Sequence, residues 1–273
     1  MFMKKLKDLI KVAAFDIDGT LLPNGYMKFP ENIKTMFQEL KNRNITTVVA
    51  SAREFASIGD FLDQLSPVDY FVGANGAFIW DVKKQEFLYK STIDKNVVKQ
   101  IYNEFQDTDV QMSITDFDKV YKSPNMKLDT WFIKPFKANY LEYNDELLKN
   151  TDLHLITFGS DQPKELSLKV QEYIDKHNLN VQIESRWSRG FWVSPKNVNK
   201  SKTLKILCES LGYSLDNLIA FGDSSNDYEM IRDALYGVAM QRASQKLKTV
   251  AKDIALDCEF EGCYLKLKEL KLI

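Results

Sequence analysis

The sequence predicts an α/β fold: a Rossmann-like core with a parallel sheet wrapped by helices, interrupted by an inserted α+β unit. Three observations carry this. Short apolar runs alternate with amphipathic helices in the amino-terminal part, the rhythm breaks in the middle, and it resumes towards the end. At 273 residues, 44% hydrophobic and 27% charged, the chain can bury two cores and has an ordinary globular composition.

The run KVAAFDI reads as a buried strand. PENIKTMFQELKNRN then spaces Ile33, Met36, Phe37 and Leu40 along one helical face, with Pro30 at the entrance. ITTVVAS is the next strand. EFASIGDFLDQL is the next helix, by the spacing of Phe55, Ile58, Leu62 and Leu65, and DYFVGA returns to strand. In NGAFIWDVKKQEFLYKST two short extended runs flank a charged turn, the pattern of a hairpin.

From there to about Arg189, helices DKNVVKQIYNEF and PKELSLKVQEYIDKH mix with strands VQMSIT, DTWFIKPF, LHLITFG and NVQIESR. This mixture suits an α+β unit on an antiparallel sheet. After GFWVSPKNVN the alternation resumes with helix KSKTLKILCESLG ending on Gly212, strand LIAFGDS, helix SNDYEMIRDA and strand YGVAM. The expected organisation is a core from residues 1–82 and 190–273, with an inserted domain at 83–189.

The 37 basic and 38 acidic residues leave a net charge of -1, too balanced to draw in nucleic acid or an anionic membrane. The lysines are scattered rather than interleaved with aromatics, so no nucleic-acid partner is expected. The basic start MFMKKLKDLIKVAAF is broken by charges before a signal core can form, and no apolar run reaches membrane-spanning length. No membrane partner and a cytoplasmic location are expected. Cys208, Cys258 and Cys263 lack a close metal-type pair, which argues against a disulfide framework or a zinc site. His154 and His177 are the only histidines, far apart in sequence, so Ser-His-Asp chemistry has little to work with. Trp131, Trp187 and Trp192 read as core of the inserted domain rather than as ligand platforms.

Candidate chemistry gathers at strand ends. In AAFDIDGTLLP, Asp16 and Asp18 stand two apart where a strand stops, so both carboxylates can face the crevice beyond the sheet edge. Two unshielded carboxylates this close raise each other's pKa, and a hard divalent cation such as Mg2+ removes the penalty. Taken alone, D-x-D also marks a turn or a cap. FGDSSNDYEM sets Asp223 after another buried strand, with Asn226 and Asp227 in the first turn of a helix, an arrangement that also serves N-capping. Ser51 closes TTVVAS before a helical pattern, where it can hold a phosphate oxygen or cap the helix. Lys200 can neutralise a phosphate or stand as a solvated charge.

The order D-x-D-G-T, S, K, G-D-x-x-N-D resembles the haloacid dehalogenase (HAD) superfamily. The residues that carry the likeness are DIDGTLL at Asp16 to Leu22, Ser51 within VVASAR, Lys200 within VNKSKTL, and GDSSNDYEM from Gly222 to Met230. The insertion between the serine and lysine motifs, with GANGA at Gly73 to Ala77, resembles the Cof-type branch with a large α/β (C2-type) cap. Three features differ from the family pattern: VVASAR replaces T-G-R, Ser201 follows Lys200 in place of glycine, and VAMQRA replaces A-M-G-N-A.

The resemblance implies a Mg2+-dependent phosphatase of small phosphorylated metabolites, such as sugar phosphates. It implies Asp16 as nucleophile and Asp18 as general acid and base. It also implies Mg2+ on the Asp16 carboxylate, the Asp18 backbone carbonyl and Asp223, with Asp227 orienting a bound water or Lys200. Ser51, Lys200 and Asn226 would hold phosphate oxygens, and the cap would choose the substrate. A phosphotransferase of the phosphomannomutase kind, and a non-catalytic binding or regulatory protein, are the alternatives on the same fold. A monomer or weak homodimer is expected.

Overall fold

The computed structural model describes residues 2–106, 109–149 and 152–273. In chain order its elements begin with α1 (Phe2–Leu9), β1 (Val12–Phe15), α2 (Glu31–Asn42), β2 (Thr46–Ala50), α3 (Phe55–Ile58), α4 (Phe61–Gln64), β3 (Tyr70–Gly73), β4 (Phe78–Asp81) and β5 (Glu86–Lys90). Next come α5 (Lys95–Phe105), β6 (Gln111–Asp116), β7 (Lys119–Lys122), β8 (Tyr140–Glu142), β9 (Leu153–Gly159), α6 (Pro163–Lys176), β10 (Val181–Trp187) and β11 (Gly190–Pro195). The chain finishes with α7 (Lys200–Ser210), β12 (Leu218–Gly222), α8 (Tyr228–Asp233), β13 (Tyr236–Met240), α9 (Gln245–Lys248), β14 (Asp253–Ala255) and α10 (Gly262–Glu269).

These form two units: Met1–Ala52, Asp60–Tyr89 and Asn199–Ile273 in one, Arg53–Gly59 and Lys90–Val198 in the other. The divisions fall later than the expected boundaries at 82/83 and 189/190. β5 stays in the first sheet beside β4, and β11 joins the second sheet.

The first unit holds an eight-stranded sheet in the order β14-β13-β12-β1-β2-β3-β4-β5. Every pair from β14 to β3 is parallel, and β4 turns antiparallel to β3. All four residues of β1 are buried, as a parallel strand covered on both faces requires. Val12 and Ala14 pack with Leu204, Leu207 and Met230. Phe15 alternates to the other face, its ring 5.1 Å from Phe221 and 5.4 Å from Phe37. In this register Phe15 pairs with Val49 and with Phe221. Three neighbouring strands therefore end level, and Asp16, Ser51 and Asp223 follow on the same edge.

The second unit holds a six-stranded sheet in the order β10-β11-β9-β6-β7-β8, antiparallel except for the β7–β8 pair. α5 and α6 cover it, burying Val98, Ile101, Leu166 and Val170 with Met112, Phe158 and Phe191.

Several expectations are corrected. EFASIGDFLDQL is not one helix: α3 and α4 are separated at Gly59, whose φ of 54° and ψ of -133° end the first. DTWFIKPF is not a strand but turns leading into a 3-10 helix, Lys134–Asn139, with Pro135 at its start, where proline's fixed φ and missing N–H suit a helix entry and not a ladder. GFWVSP, which carries no element of its own in the sequence reading, is strand β11. The tryptophans are not core: Trp131 is 45% and Trp187 36% exposed, and Trp192 is half-buried against Trp187 at 4.2 Å between ring centroids. Phe158 and Phe191, stacked at 4.9 Å, fill the interior instead. Among the described residues no helix is long and apolar enough to cross a membrane.

His154 on β9 is buried, with Nδ1 2.8 Å from the Ser91 carbonyl. Burial pushes its imidazole down from 6.5 to about 4, against the pull of Asp152. Between these values the unfolded chain binds a proton that the folded one refuses. Stability contributed by the neutral ring is therefore complete above pH 6.5 and is lost as pH falls towards 4, by up to about 3 kcal/mol. Thermal unfolding followed between pH 7.5 and 4.5 should show this fall, and His154→Gln should flatten it. Parallel curves for the two proteins would contradict the assignment.

Candidate active site

Asp16 leaves β1 with its N–H bonded to the Phe221 carbonyl at 3.1 Å, so its backbone still belongs to the sheet while its side chain lies beyond it. The chain then turns on itself: Thr20, Leu21 and Leu22 all donate to the Ile17 carbonyl, and Gly19 donates to Leu22 at 2.8 Å. Gly19 has a φ of +90°, and any Cβ there would stand 2.5 Å from Asp223 Oδ2. Only glycine allows this turn to approach the second acidic cluster so closely. Thr20 is buried, and its hydroxyl donates to Asp223 Oδ1 at 3.2 Å. It ties together two motifs 203 residues apart, a link sequence reasoning had not assigned.

Asp223 and Asp227 are arranged by the short turn after β12. Asp227 Oδ2 accepts from the N–H groups of Asp223 and Ser224, both at 3.0 Å, and the Ser224 hydroxyl donates to Asp223 Oδ2 at 3.0 Å. Residues Ser225–Asp227 form a 3-10 turn ahead of α8 rather than the first turn of an α-helix. The capping role weighed for this segment is present, and it leaves Asp227 Oδ1 for Lys200.

Lys200, the first residue of α7, is fully buried, not solvated. Its Nζ donates to Asp16 Oδ1 and to Asp227 Oδ1, each at 2.7 Å. Burial works against its charge, but the two carboxylates outweigh this and hold the ammonium above its usual range. Burial pushes the Asp16 carboxyl well up; Lys200 opposes this, and Asp227, Asp223 and Asp18 add to it. Asp223 rises to about 7, through burial first and Asp227 second. Carboxylate oxygens of Asp16, Asp223 and Asp227 lie within 4.8 Å of one another. The Asp18 side chain does not join this group and is half-buried in the turn.

Ser51 is buried just past β2, its N–H on the Val72 carbonyl at 2.9 Å. It does not cap a helix: α3 starts at Phe55, with Glu54 at the cap position. Asn226 is buried, and its Nδ2 donates to Asn75 Oδ1 at 2.9 Å. Asn75 belongs to GANGA, which the sequence offered only as a mark of resemblance.

Residues 13–267 match the family described as haloacid dehalogenase-like hydrolase. The chain belongs to this family. The family expected from the motif order therefore holds, and so does the expected class, a hydrolase. Among curated relatives, a putative phosphatase of Buchnera aphidicola subsp. Baizongia pistaciae is 27% identical over 242 residues, covering 87% of this chain and 88% of that protein. The 5-amino-6-(5-phospho-D-ribitylamino)uracil phosphatase YcsE of Bacillus subtilis is 24% identical over 253 residues, covering 92% of each. Among solved structures, a phosphatase of the haloalkanoate (HAD) enzyme superfamily from Bacteroides thetaiotaomicron superposes with a TM-score of 0.81 at 21% identity, over 97% of this chain and 96% of that one. This likeness extends the HAD fold across both units.

Proposed function

We propose that this HAD-family hydrolase is a Mg2+-dependent phosphatase of small phosphorylated metabolites, working through an aspartyl-phosphate on Asp16. The observation that carries the reading is Lys200, buried and bridging Asp16 to Asp227 at 2.7 Å each. One ammonium compensates only part of the charge of three carboxylates, and the Asp16 and Asp223 carboxyls are pushed up first by burial and further by their acidic neighbours. An all-oxygen, acidic donor set of this kind fits Mg2+. Asp16, Asp223 and the Asp18 backbone carbonyl would hold it, with Asp227 orienting a bound water or Lys200. Bound there, the ion would neutralise charge on the transferred phosphoryl oxygens.

The chain's own groups account for the rest. An Asp16 carboxylate oxygen attacks phosphorus in line; the new O–P bond forms as the ester P–O bond breaks. Asp18 gives its proton to the departing oxygen, then takes one from the water that attacks the acyl phosphate, releasing inorganic phosphate and restoring Asp16. Ser51, Lys200 and Asn226 hold the nonbridging oxygens, whose charge redistributes at the transition state.

The substrate named for YcsE, a phosphorylated ribitylaminouracil, supports a small metabolite as the leaving group's source. The second unit is the candidate reader of that group. The test is a screen of sugar, nucleotide and cofactor phosphates with Mg2+ and then with chelator. Phosphate release without an added acceptor, abolished by chelation, is expected. Turnover only in the presence of a sugar acceptor would make the protein a phosphotransferase, and no turnover across the panel would reject the enzyme reading.

A further inference from the structure

Three consecutive residues between β3 and β4 have left-handed backbones: Ala74 at φ 49°, Asn75 at 55° and Gly76 at 101°. All three are buried. For Ala74 this conformation costs about 1–2 kcal/mol, so surrounding contacts must hold the turn in place. Those contacts lead to the candidate phosphate-binding residues. The Asn75 N–H donates to the Ser51 carbonyl at 3.0 Å. The Gly76 carbonyl accepts from Thr203 Oγ1 at 2.5 Å. A Cβ on Gly76 would stand 2.5 Å from the Asn199 carbonyl oxygen, so the turn lies directly against the start of the helix that carries Lys200. Asn75 Oδ1 accepts from Asn226 Nδ2 at 2.9 Å.

We propose that Asn75 is a positioning residue for the phosphoryl site: its side-chain carbonyl takes one hydrogen of the Asn226 amide and so turns the other towards a phosphoryl oxygen. This rests on the reading of Ser51, Lys200 and Asn226 given above. Backbone conformation alone does not explain the choice of residue. Glycine would adopt φ 55° without strain, and it would also avoid the unpaired donor that asparagine brings, for Asn75 Nδ2 has no hydrogen-bond partner among the described residues. A residue kept for stability alone would not leave a fully buried amide half-satisfied, since burying an unpaired polar group is unfavourable. What asparagine adds is the acceptor that Asn226 uses.

The test is Asn75→Gly, which keeps the left-handed turn and deletes only the amide. Inorganic phosphate affinity is measured by calorimetry in Mg2+ buffer, alongside kcat, KM and thermal unfolding, in the parent and in an Asn226→Ala background. Asn75→Gly is expected to unfold within a few degrees of the parent, and to weaken phosphate binding and lower kcat/KM by about tenfold, the loss typical of a hydrogen bond to a charged group. In the Asn226→Ala background the same change is expected to cost less than about twofold, because the residue acts through Asn226. Equal losses in both backgrounds, or parent-like phosphate affinity in Asn75→Gly, would overturn the proposal. If Asn75→Gly unfolds, Asn75→Ser, which also lacks the amide, takes its place under the same criteria. A parent that binds phosphate but turns over no substrate would defeat the phosphatase reading while leaving the calorimetric test of Asn75 intact.

Discussion

Asp16→Asn is expected to abolish phosphate release, by at least about 10^3-fold in kcat, while leaving the metal-free protein no less stable than the parent. The activity loss follows from the role proposed for Asp16: a neutral amide oxygen cannot form the acyl phosphate, and removing the attacking group of a concerted site costs roughly as much as removing its partners too. Stability is expected to move the other way. Asp16 is buried, with its carboxyl pushed well up by that burial and by three acidic neighbours. Asparagine has the same shape, can still accept from Lys200 Nζ, and brings no charge. Lys200 then faces one carboxylate partner instead of two, and like-charge repulsion within the cluster falls. Phosphate release assays and thermal unfolding in chelator should therefore move apart: no turnover, and an unfolding temperature equal to the parent's or higher. Activity at the parent rate would remove Asp16 from the nucleophile's role. Lost activity together with a clearly lower unfolding temperature would point to a structural role.

Much of the site is visible in the sequence because it crowds like charges where a fold would otherwise avoid them. Acidic pairs at strand ends disfavour the metal-free fold, so Asp16 with Asp18, and Asp223 with Asp227, stand out against a background of apolar strands. What the sequence hides is connection. Nothing local to Thr20 says that its hydroxyl reaches Asp223, and nothing in KSKTL says that Lys200 is buried rather than solvated, because both facts depend on how β1 and β12 pair. Asn75 left one local trace, an Asn-Gly step after a strand, which reads as a turn long before it reads as a partner for Asn226. In the second unit the errors have a different origin. GFWVSP is a short apolar run without alternation, which a strand and a buried connection share. DTWFIKPF has the aromatic content of a strand, but Pro135 starts a 3-10 turn. The tryptophans read inward because aromatics are so often buried, whereas the stacked pair Phe158 and Phe191 already fills that interior.

Lys200→Met is expected to have the largest effect on stability. The side chains are similar in length, so packing is nearly conserved and what changes is charge. In the parent, one ammonium donates at 2.7 Å to both Asp16 and Asp227, and all three side chains are almost wholly inaccessible. Removing one partner of a buried ion pair leaves an uncompensated charge and costs about 3–5 kcal/mol; here a single substitution strands two carboxylates beside a third, Asp223. Metal-free protein should show the full loss in thermal or urea unfolding. Mg2+ should return more stability to the variant than it adds to the parent, because a more negative cluster binds a divalent cation more tightly and ligand binding to the folded state stabilises by mass action. Turnover should stay low in saturating Mg2+, by about 10^2-fold or more, since the cation would not replace the contact with phosphoryl oxygens proposed for the ammonium. Stability that recovers with Mg2+ while kcat does not is thus the signature of a lysine with two separate duties, holding the carboxylates together in the free protein and meeting phosphate in the occupied one. Equal Mg2+ stabilisation of both proteins would show that the cation binds away from Lys200 and that the three carboxylates do not share it.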